Sequence, residues 1–213
     1  MSAILVNIML WRRKEKYMGF TEFKKKVGER CDMTGKICAF TGHRPHRFPW
    51  KNNEDDPRCI ALKKMLTKLI STLARHGVTV FYIGMAEGTD SYCSQIVLDF
   101  RKENPALRLH CILPHEGQAD RWSASARERY NAILEQADSV EYVSRTYHDG
   151  CMIDRNHRLV ESADLLLAVY NGARRSGTGA TVNYARKLGR EIIIIDPITL
   201  HITCEEPTLD VKR

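Results

Sequence analysis

The chain has 213 residues, of which 43% are hydrophobic and 28% charged, and these values fit one full α/β domain but are short for two. No run approaches 18 apolar residues, which excludes a transmembrane helix. The basic residues near the start follow the short apolar opening instead of preceding it, which argues against a secretory signal and predicts a cytoplasmic protein.

Charge and cysteine content bear on two further classes, nucleic-acid-binding proteins and proteins built on disulfides. The net charge is +7, but residues 1–35 hold eight Lys/Arg and four Asp/Glu, so this leader contributes +4 of it. No single element carries the dense basic stripe of a nucleic-acid-binding face, which makes nucleic acid a less favoured partner. The seven cysteines are odd in number and form no CxxC pair, which indicates reduced, packed thiols.

The pattern of apolar residues divides the chain into three parts. Residues 1–32 lack regular alternation and are interpreted as a basic, flexible N-terminal extension or an over-long reading frame. Residues 33–197 are predicted to form a single Rossmann-like domain. Residues 198–213 are predicted to be a weakly structured C-terminal tail.

Within the domain, strands and helices are predicted to alternate. The predicted strands are 36–40, 78–83, 107–113, 139–143, 164–170 and 191–196. The predicted helices are 57–76, which ends at Gly77, then 89–103, 124–137, 154–163 and 178–188. Several strands are continuous apolar runs, which is typical of parallel strands buried on both faces. The expected fold is α/β, a Rossmann-like doubly wound, mostly parallel sheet with helices on both faces.

Four connections that follow strands are rich in Gly, Thr, Arg and His. They read "TGHRP", "GMAEGTD", "PHEGQADRW" and "NGARRSGTGATVNYA". Because the carboxyl ends of parallel strands share one edge of the sheet, we expect these corners to form one pocket. Glycines permit close approach of a ligand, and helix N-termini attract anions, of which phosphate is the usual one. "SGTGAT" at a helix start is the best candidate, and Gly84 with Gly88 is a second.

Structural explanations of the same residues stay open at this point. Gly84 and Gly88 could serve only the strand-to-helix corner, and Asp90 could serve only the helix dipole. Trp122 could stack on a base or be a partly buried surface aromatic. His43 and His46 are two possible metal ligands without a third, so no metal site is expected.

Together these motifs resemble the YpsA-like branch of the SLOG superfamily. The residues that carry the resemblance are "AFTGHRP", "GMAEGTD", "DRNHRLVESADLLLAVYNG" and "SGTGATVNYARKLGREIIII", and it covers about residues 34–197. That superfamily joins the DNA-processing protein DprA to the LOG-type phosphoribohydrolases. The resemblance implies a Rossmann-like fold and a pocket for a nucleotide or nucleotide-derived ligand, such as an ADP-ribose-like molecule.

The corners and the resemblance together define a set of expected ligand-binding residues. They are Thr41, Gly42, His43, Arg44, Gly84, Ala86, Glu87, Gly88, Asp90, Arg155, Asn156, Asn171, Gly177, Thr178, Gly179 and Thr181. The stretch that matches the PGGxGTxxE pattern of LOG enzymes lacks its proline-glycine and its glutamate, so catalysis of that type is left undecided. Glu87, Asp90 and Asp154 are the acids that could replace it.

Three functions follow from this reading. The first is a protein that binds a phosphate-containing nucleotide ligand, with a sensor role left open. The second is a hydrolase of a nucleotide N-glycosidic or phosphate bond. The third is a DprA-like single-stranded DNA binder, for which the basic residues would have to cluster with aromatics. Whether the chain forms a homodimer is left open.

Overall fold

A computed structural model describes residues 17–29, 33–173 and 175–207. In these residues the strands are β1 Ile37–Gly42, β2 Val80–Ile83, β3 Arg108–Leu113, β4 Ser139–Tyr142, β5 Leu165–Val169, β6 Glu191–Ile195 and β7 Ile202–Glu205. The helices are α1 Phe20–Glu29, α2 Pro57–Arg75, α3 Thr89–Arg101, α4 Ala124–Leu134, α5 Cys151–Glu161 and α6 Gly177–Lys187. A short 3-10 turn, Pro45–Arg47, follows β1.

The strands form one sheet in the order β4-β3-β2-β1-β5-β6-β7. Strands β1 to β6 pair in parallel, and β7 pairs with β6 in the antiparallel direction. Buried side chains of α1 to α4 pack in one core cluster, and those of α5 and α6 pack in a second cluster on the opposite face. The predicted Rossmann-like α/β fold is confirmed.

Alternate residues of the central strands enter opposite cores. In β1, Phe40 belongs to the first cluster and Ala39 to the second. In β5, Leu167 and Leu166 divide in the same way. Because both faces of these strands are covered by helices, an apolar residue is favoured at every position, which explains the continuous apolar runs.

The longest helix begins and ends where its sequence predicts. Asp56 caps α2 by accepting a hydrogen bond from the Arg58 amide at 2.8 Å, and Pro57 occupies the first turn. Gly77 follows the helix with a φ of +99°, a left-handed conformation that glycine adopts without strain. Residues from 57 to 75 are therefore helical for local reasons as well as for packing.

The N-terminal segment differs from the predicted flexible extension. Helix α1 buries Phe23 and Val27 in the first core cluster. Just before it, Met18 exchanges backbone hydrogen bonds with Ile202 at 2.9 and 3.0 Å. Residues 17–29 are therefore packed on the domain, while the same prediction for residues 1–16 and 30–32 falls outside the described residues.

The C-terminal segment also differs from the predicted unstructured tail. Strand β7 adds to the edge of the sheet and buries Ile202. The sequence of β7 is only four residues long, so its strand conformation depends on pairing with β6 rather than on a visible local pattern. Residues 208–213 lie outside the described residues.

Two further sequence expectations can be compared with the described residues. Their six cysteines carry free thiols, five of them buried; Cys31 falls outside this part of the chain. None of the described helices is long and apolar enough to span a bilayer.

Candidate functional site

The site lies where the direction of the sheet's connections reverses. Strands β1 and β5 are parallel neighbours at the centre of the sheet, with Gly42 beside Val169 at their carboxyl ends. From β1 the chain continues to β2 on one side, whereas from β5 it continues to β6 on the other. The diverging connections leave a crevice between them, and this is where open α/β sheets bind ligands.

A cavity of about 260 Å³ occupies this crevice, and we call it the switch-point cavity. Its walls come from the segments after β1 and β2, the side of α5 and the first turn of α6. The lining residues are Phe40, Thr41, Gly42, His43, Arg44, His46, Arg47, Ala86, Asp90, Met152, Arg155, Asn156, Leu159, Ser176, Gly177 and Thr178.

The first turn of α6 presents backbone donors to the cavity. The Ser176 hydroxyl caps the helix by accepting from the Gly179 amide at 2.9 Å, and the Ala180 amide donates to the Ser176 carbonyl at 3.0 Å. The amides of Gly177 and Thr178 then have no protein partner within the described residues. Two unpaired amides at the positive end of a helix dipole suit an anion.

His43 supports this helix start as a neutral ring. It is buried, and its Nε2 lies 2.9 Å from Asn171 Oδ1, which also accepts from the Ala173 amide at 3.2 Å. The Asn171 backbone amide nitrogen also lies 3.4 Å from Nε2, so the donor and acceptor roles of the two ring nitrogens depend on the tautomer. The Thr178 hydroxyl lies 3.5 Å from Nδ1. Burial lowers the pKa of His43, which favours the neutral ring beside the start of α6.

Arg155 and Asp90 form a buried ion pair beside the cavity. Arg155 Nη1 lies 3.9 Å from Asp90 Oδ2 and donates to the Gly84 carbonyl, while Nε donates to Asn156 Oδ1 at 2.9 Å. The Ala86 amide donates to Asp90 Oδ2 at 3.0 Å. Burial raises the pKa of the Asp90 carboxyl, and the Arg155 charge opposes that rise. The guanidinium is held rigidly by three partners, as a phosphate-binding arginine should be.

Close packing explains two of the glycines. A Cβ at Gly84 would overlap the Arg155 guanidinium, and a Cβ at Gly42 would overlap the Thr89 side chain. Gly84 therefore lets Arg155 reach the strand end, and Gly42 lets the start of α3 approach β1. Of the two explanations that the sequence left open for Gly84, the contacts favour a role in packing at the strand-to-helix corner.

Two more arginines lie at the exposed rim of the cavity. Arg44 Nη2 lies 3.7 Å from Met152 Sδ, and Arg47 Nη2 donates to the Arg175 carbonyl at 3.4 Å. Both side chains belong to exposed residues. With Arg155, the lining residues include three guanidinium groups and one carboxylate, that of Asp90. The local field therefore favours an anionic ligand.

Comparison with known proteins identifies the family. The family model described as "YspA SLOG family" matches residues 38–200, most of the chain. The chain belongs to the YspA SLOG family. The resemblance to the YpsA-like branch inferred from the motifs is thereby confirmed.

Related proteins agree with this membership. A UPF0398 protein of Bacillus pumilus (strain SAFR-032) is 28% identical over 183 residues, which cover 84% of this chain and 98% of the relative. A UPF0398 protein of Bacillus cereus (strain G9842) is 30% identical over 157 residues, 72% of this chain and 84% of the relative. A similar solved structure is DNA processing protein A from Helicobacter pylori, with a TM-score of 0.52 and 16% identity over 76% of this chain and 66% of that one. At that identity the similarity shows a shared fold.

In this YspA-family protein, ten of the expected binding residues line one cavity. They are Thr41, Gly42, His43, Arg44, Ala86, Asp90, Arg155, Asn156, Gly177 and Thr178. Asn171 lies behind His43, and Gly84 lies against Arg155. Gly179 and Thr181 are buried within α6.

The three candidate acids are separated from one another. Asp90 lines the switch-point cavity, whereas Glu87 lines a neighbouring cavity of about 510 Å³ together with Gly88. Asp154 is exposed on α5 and lines neither. In the described part of the chain, no three His, Cys, Asp or Glu side chains are grouped to hold a metal ion.

Several lining residues were not among the expected ligand-binding residues. They are Phe40, His46, Arg47, Met152, Leu159 and Ser176. Ser176 carries a recognisable signal, because a serine directly before a helical pattern is a preferred N-cap. Arg47 reaches the cavity only because the Pro45–Arg47 turn follows β1. Met152 lines it because α5 begins at Cys151, three residues before its predicted start.

Proposed function

We propose that this protein binds a nucleotide or nucleotide-derived ligand by its phosphate in the switch-point cavity. The observation that carries the proposal is the meeting, at one cavity, of the unpaired Gly177 and Thr178 amides with the guanidinium groups of Arg44 and Arg155. Amides at a helix start and arginine forks are the two protein groups best suited to phosphate. The position of the cavity at the β1–β5 divergence supports a nucleotide rather than a free ion.

The contacts of the acid in the cavity favour ligand binding over cleavage. Among the described lining residues, Asp90 is the one acid, and its Oδ2 already accepts the Ala86 amide and faces Arg155. A hydrolase needs a carboxyl that exchanges protons with the reacting group. Incubation with nucleotide mixtures followed by chromatography tests this point, because product formation would assign the hydrolase function instead.

The proposal is tested by thermal shift and calorimetry with AMP, ADP, ADP-ribose, ribose 5-phosphate and adenosine. The phosphate-bearing compounds should bind and adenosine should not. At a concentration of 100 times Kd, a ligand adds about 2.7 kcal/mol to the stability, which raises Tm by about 5–11 °C for a chain of this size. A flat response from folded protein to every compound would refute the proposal.

A matched pair of variants locates the binding. Arg44→Gln should weaken binding of the phosphate-bearing compounds about tenfold, because it removes one charge-assisted contact. Arg127→Gln, an exposed residue on α4 outside the switch-point cavity, should leave their Kd unchanged. Equal effects of the two variants would indicate non-specific attraction by surface charge.

A further inference from the structure

A second cavity adjoins the first. It has a volume of about 970 Å³, and we call it the side cleft. Its walls are the β3–α4 and β4–α5 loops, which are joined where the Glu116 amide donates to the Arg145 carbonyl at 3.3 Å. Arg44 and Met152 line both cavities. One ligand can therefore extend from the helix start of α6 past Arg44 into the side cleft.

The side cleft exposes most of one aromatic ring. Tyr147 is 64% exposed, although its ring lies edge-on to His115 at 5.6 Å and its hydroxyl donates to Asp149 at 3.3 Å. Trp122, which lines the same cleft, is half-buried with its ring edge-on to Tyr130 at 5.3 Å. An oriented aromatic ring open to solvent within a cavity offers a stacking surface for a planar group.

Gln118 lines this cleft and carries an acceptor without a partner in the described part of the chain. Its Nε2 donates to the carbonyls of Gly84 and Met85 at 3.2 and 2.7 Å, which fixes the orientation of the amide. The residue is 9% exposed, and its Oε1 is buried with no partner in the described part of the chain. Buried acceptors of this kind are normally satisfied, so an amino or hydroxyl group of a ligand would complete it.

We propose that the side cleft holds the base of the nucleotide whose phosphate lies at the start of α6. This inference rests on the proposed function and adds that Tyr147 stacks on the base. The charges favour a small molecule over single-stranded DNA. The cleft has three arginines, Arg44, Arg121 and Arg145, against the acids Glu116 and Asp120, whereas a groove for a strand needs an uninterrupted positive path.

The test compares AMP with ribose 5-phosphate on the full chain. Tyr147→Ala should weaken AMP binding about tenfold, which equals about 1.4 kcal/mol and lies within the range for one stacked base. It should change the Kd of ribose 5-phosphate less than twofold. Tyr147→Phe keeps the ring and should bind AMP as the wild type does. Unchanged melting temperatures would show that both variants fold.

Each other outcome overturns the inference in a distinguishable way. If the wild type binds both compounds but Tyr147→Ala changes neither Kd, or changes both Kd values equally, the base lies elsewhere. The proposed phosphate site is not affected by that result. If the wild type binds neither, the proposed function itself fails. If a 12-residue oligodeoxythymidylate binds more tightly than AMP and loses affinity in Tyr147→Ala, the cleft is a nucleic-acid site instead.

Discussion

Replacing Asp90 by asparagine should cost a large part of the stability of the fold. The amide oxygen can still accept the Ala86 hydrogen bond, so the change removes the charge opposite Arg155 and little else. Both side chains are buried, at 5% exposure for Arg155 and 7% for Asp90. Leaving one member of a buried pair without its counter-charge costs about 3–5 kcal/mol, which corresponds to a fall in Tm of about 6–20 °C for a chain of this length.

Urea unfolding measures this loss, with Asp99→Asn as the matched control. Asp99 lies on the same helix, but its pair with Lys102 is exposed, so its loss should cost less than about 1 kcal/mol. In the double variant Asp90→Asn/Arg155→Met the buried charge is gone as well, and stability should be partly recovered. A loss below 1 kcal/mol in Asp90→Asn, or additive losses in the double variant, would refute the reasoning.

Four further predictions concern stability. Gly84→Ala should lower Tm in thermal unfolding because its Cβ would displace the Arg155 side chain. An unchanged Tm would show that the guanidinium adopts another position without loss of stability. Ser176→Ala should cost about 1 kcal/mol in urea unfolding through loss of the α6 cap, and Ser176→Asp should keep most of it. Phe23→Ala should cost about 3–5 kcal/mol because α1 is packed on the core, and a loss under 1 kcal/mol would restore the idea of a loose extension. Burial lowers the pKa of His43, so the unfolded chain binds more protons than the folded one below about pH 6.5. As the pH is lowered from about 6.5 to the folded-state pKa, the free energy of unfolding should therefore decrease by up to about 1.4 kcal/mol per pH unit. Urea unfolding measured at several pH values tests this, and His43→Asn should remove that contribution to the slope.

The central sheet could be predicted because its signals are local. The apolar runs of β5 and β6, and the stripe of α2 between a capping acid and a glycine, each specify one element without reference to the rest of the fold. Helix α1 shows only three apolar positions in a charged stretch. Its place is decided by contacts with α2 and by the pairing of Met18 with Ile202, which lie far apart in the chain.

The position of the switch-point cavity could be predicted, but not the contacts that each residue makes in it. Parallel strands bring their carboxyl ends to one edge, so the corners after β1, β2 and β5 had to meet. Whether a glycine there faces a ligand or a side chain depends on distant residues. Gly84 illustrates this, because the group against it is Arg155, 71 positions away. The side cleft likewise joins loops that show no common motif.

The most direct measurement of the central claim is a titration of ¹⁵N-labelled protein with AMP, followed through the amide resonances. If the phosphate binds at the start of α6, the signals of Gly177 and Thr178 should show the largest shifts, while that of the capped Gly179 shifts less. Saturable shifts that leave both signals in place and appear elsewhere on the sheet would contradict the account.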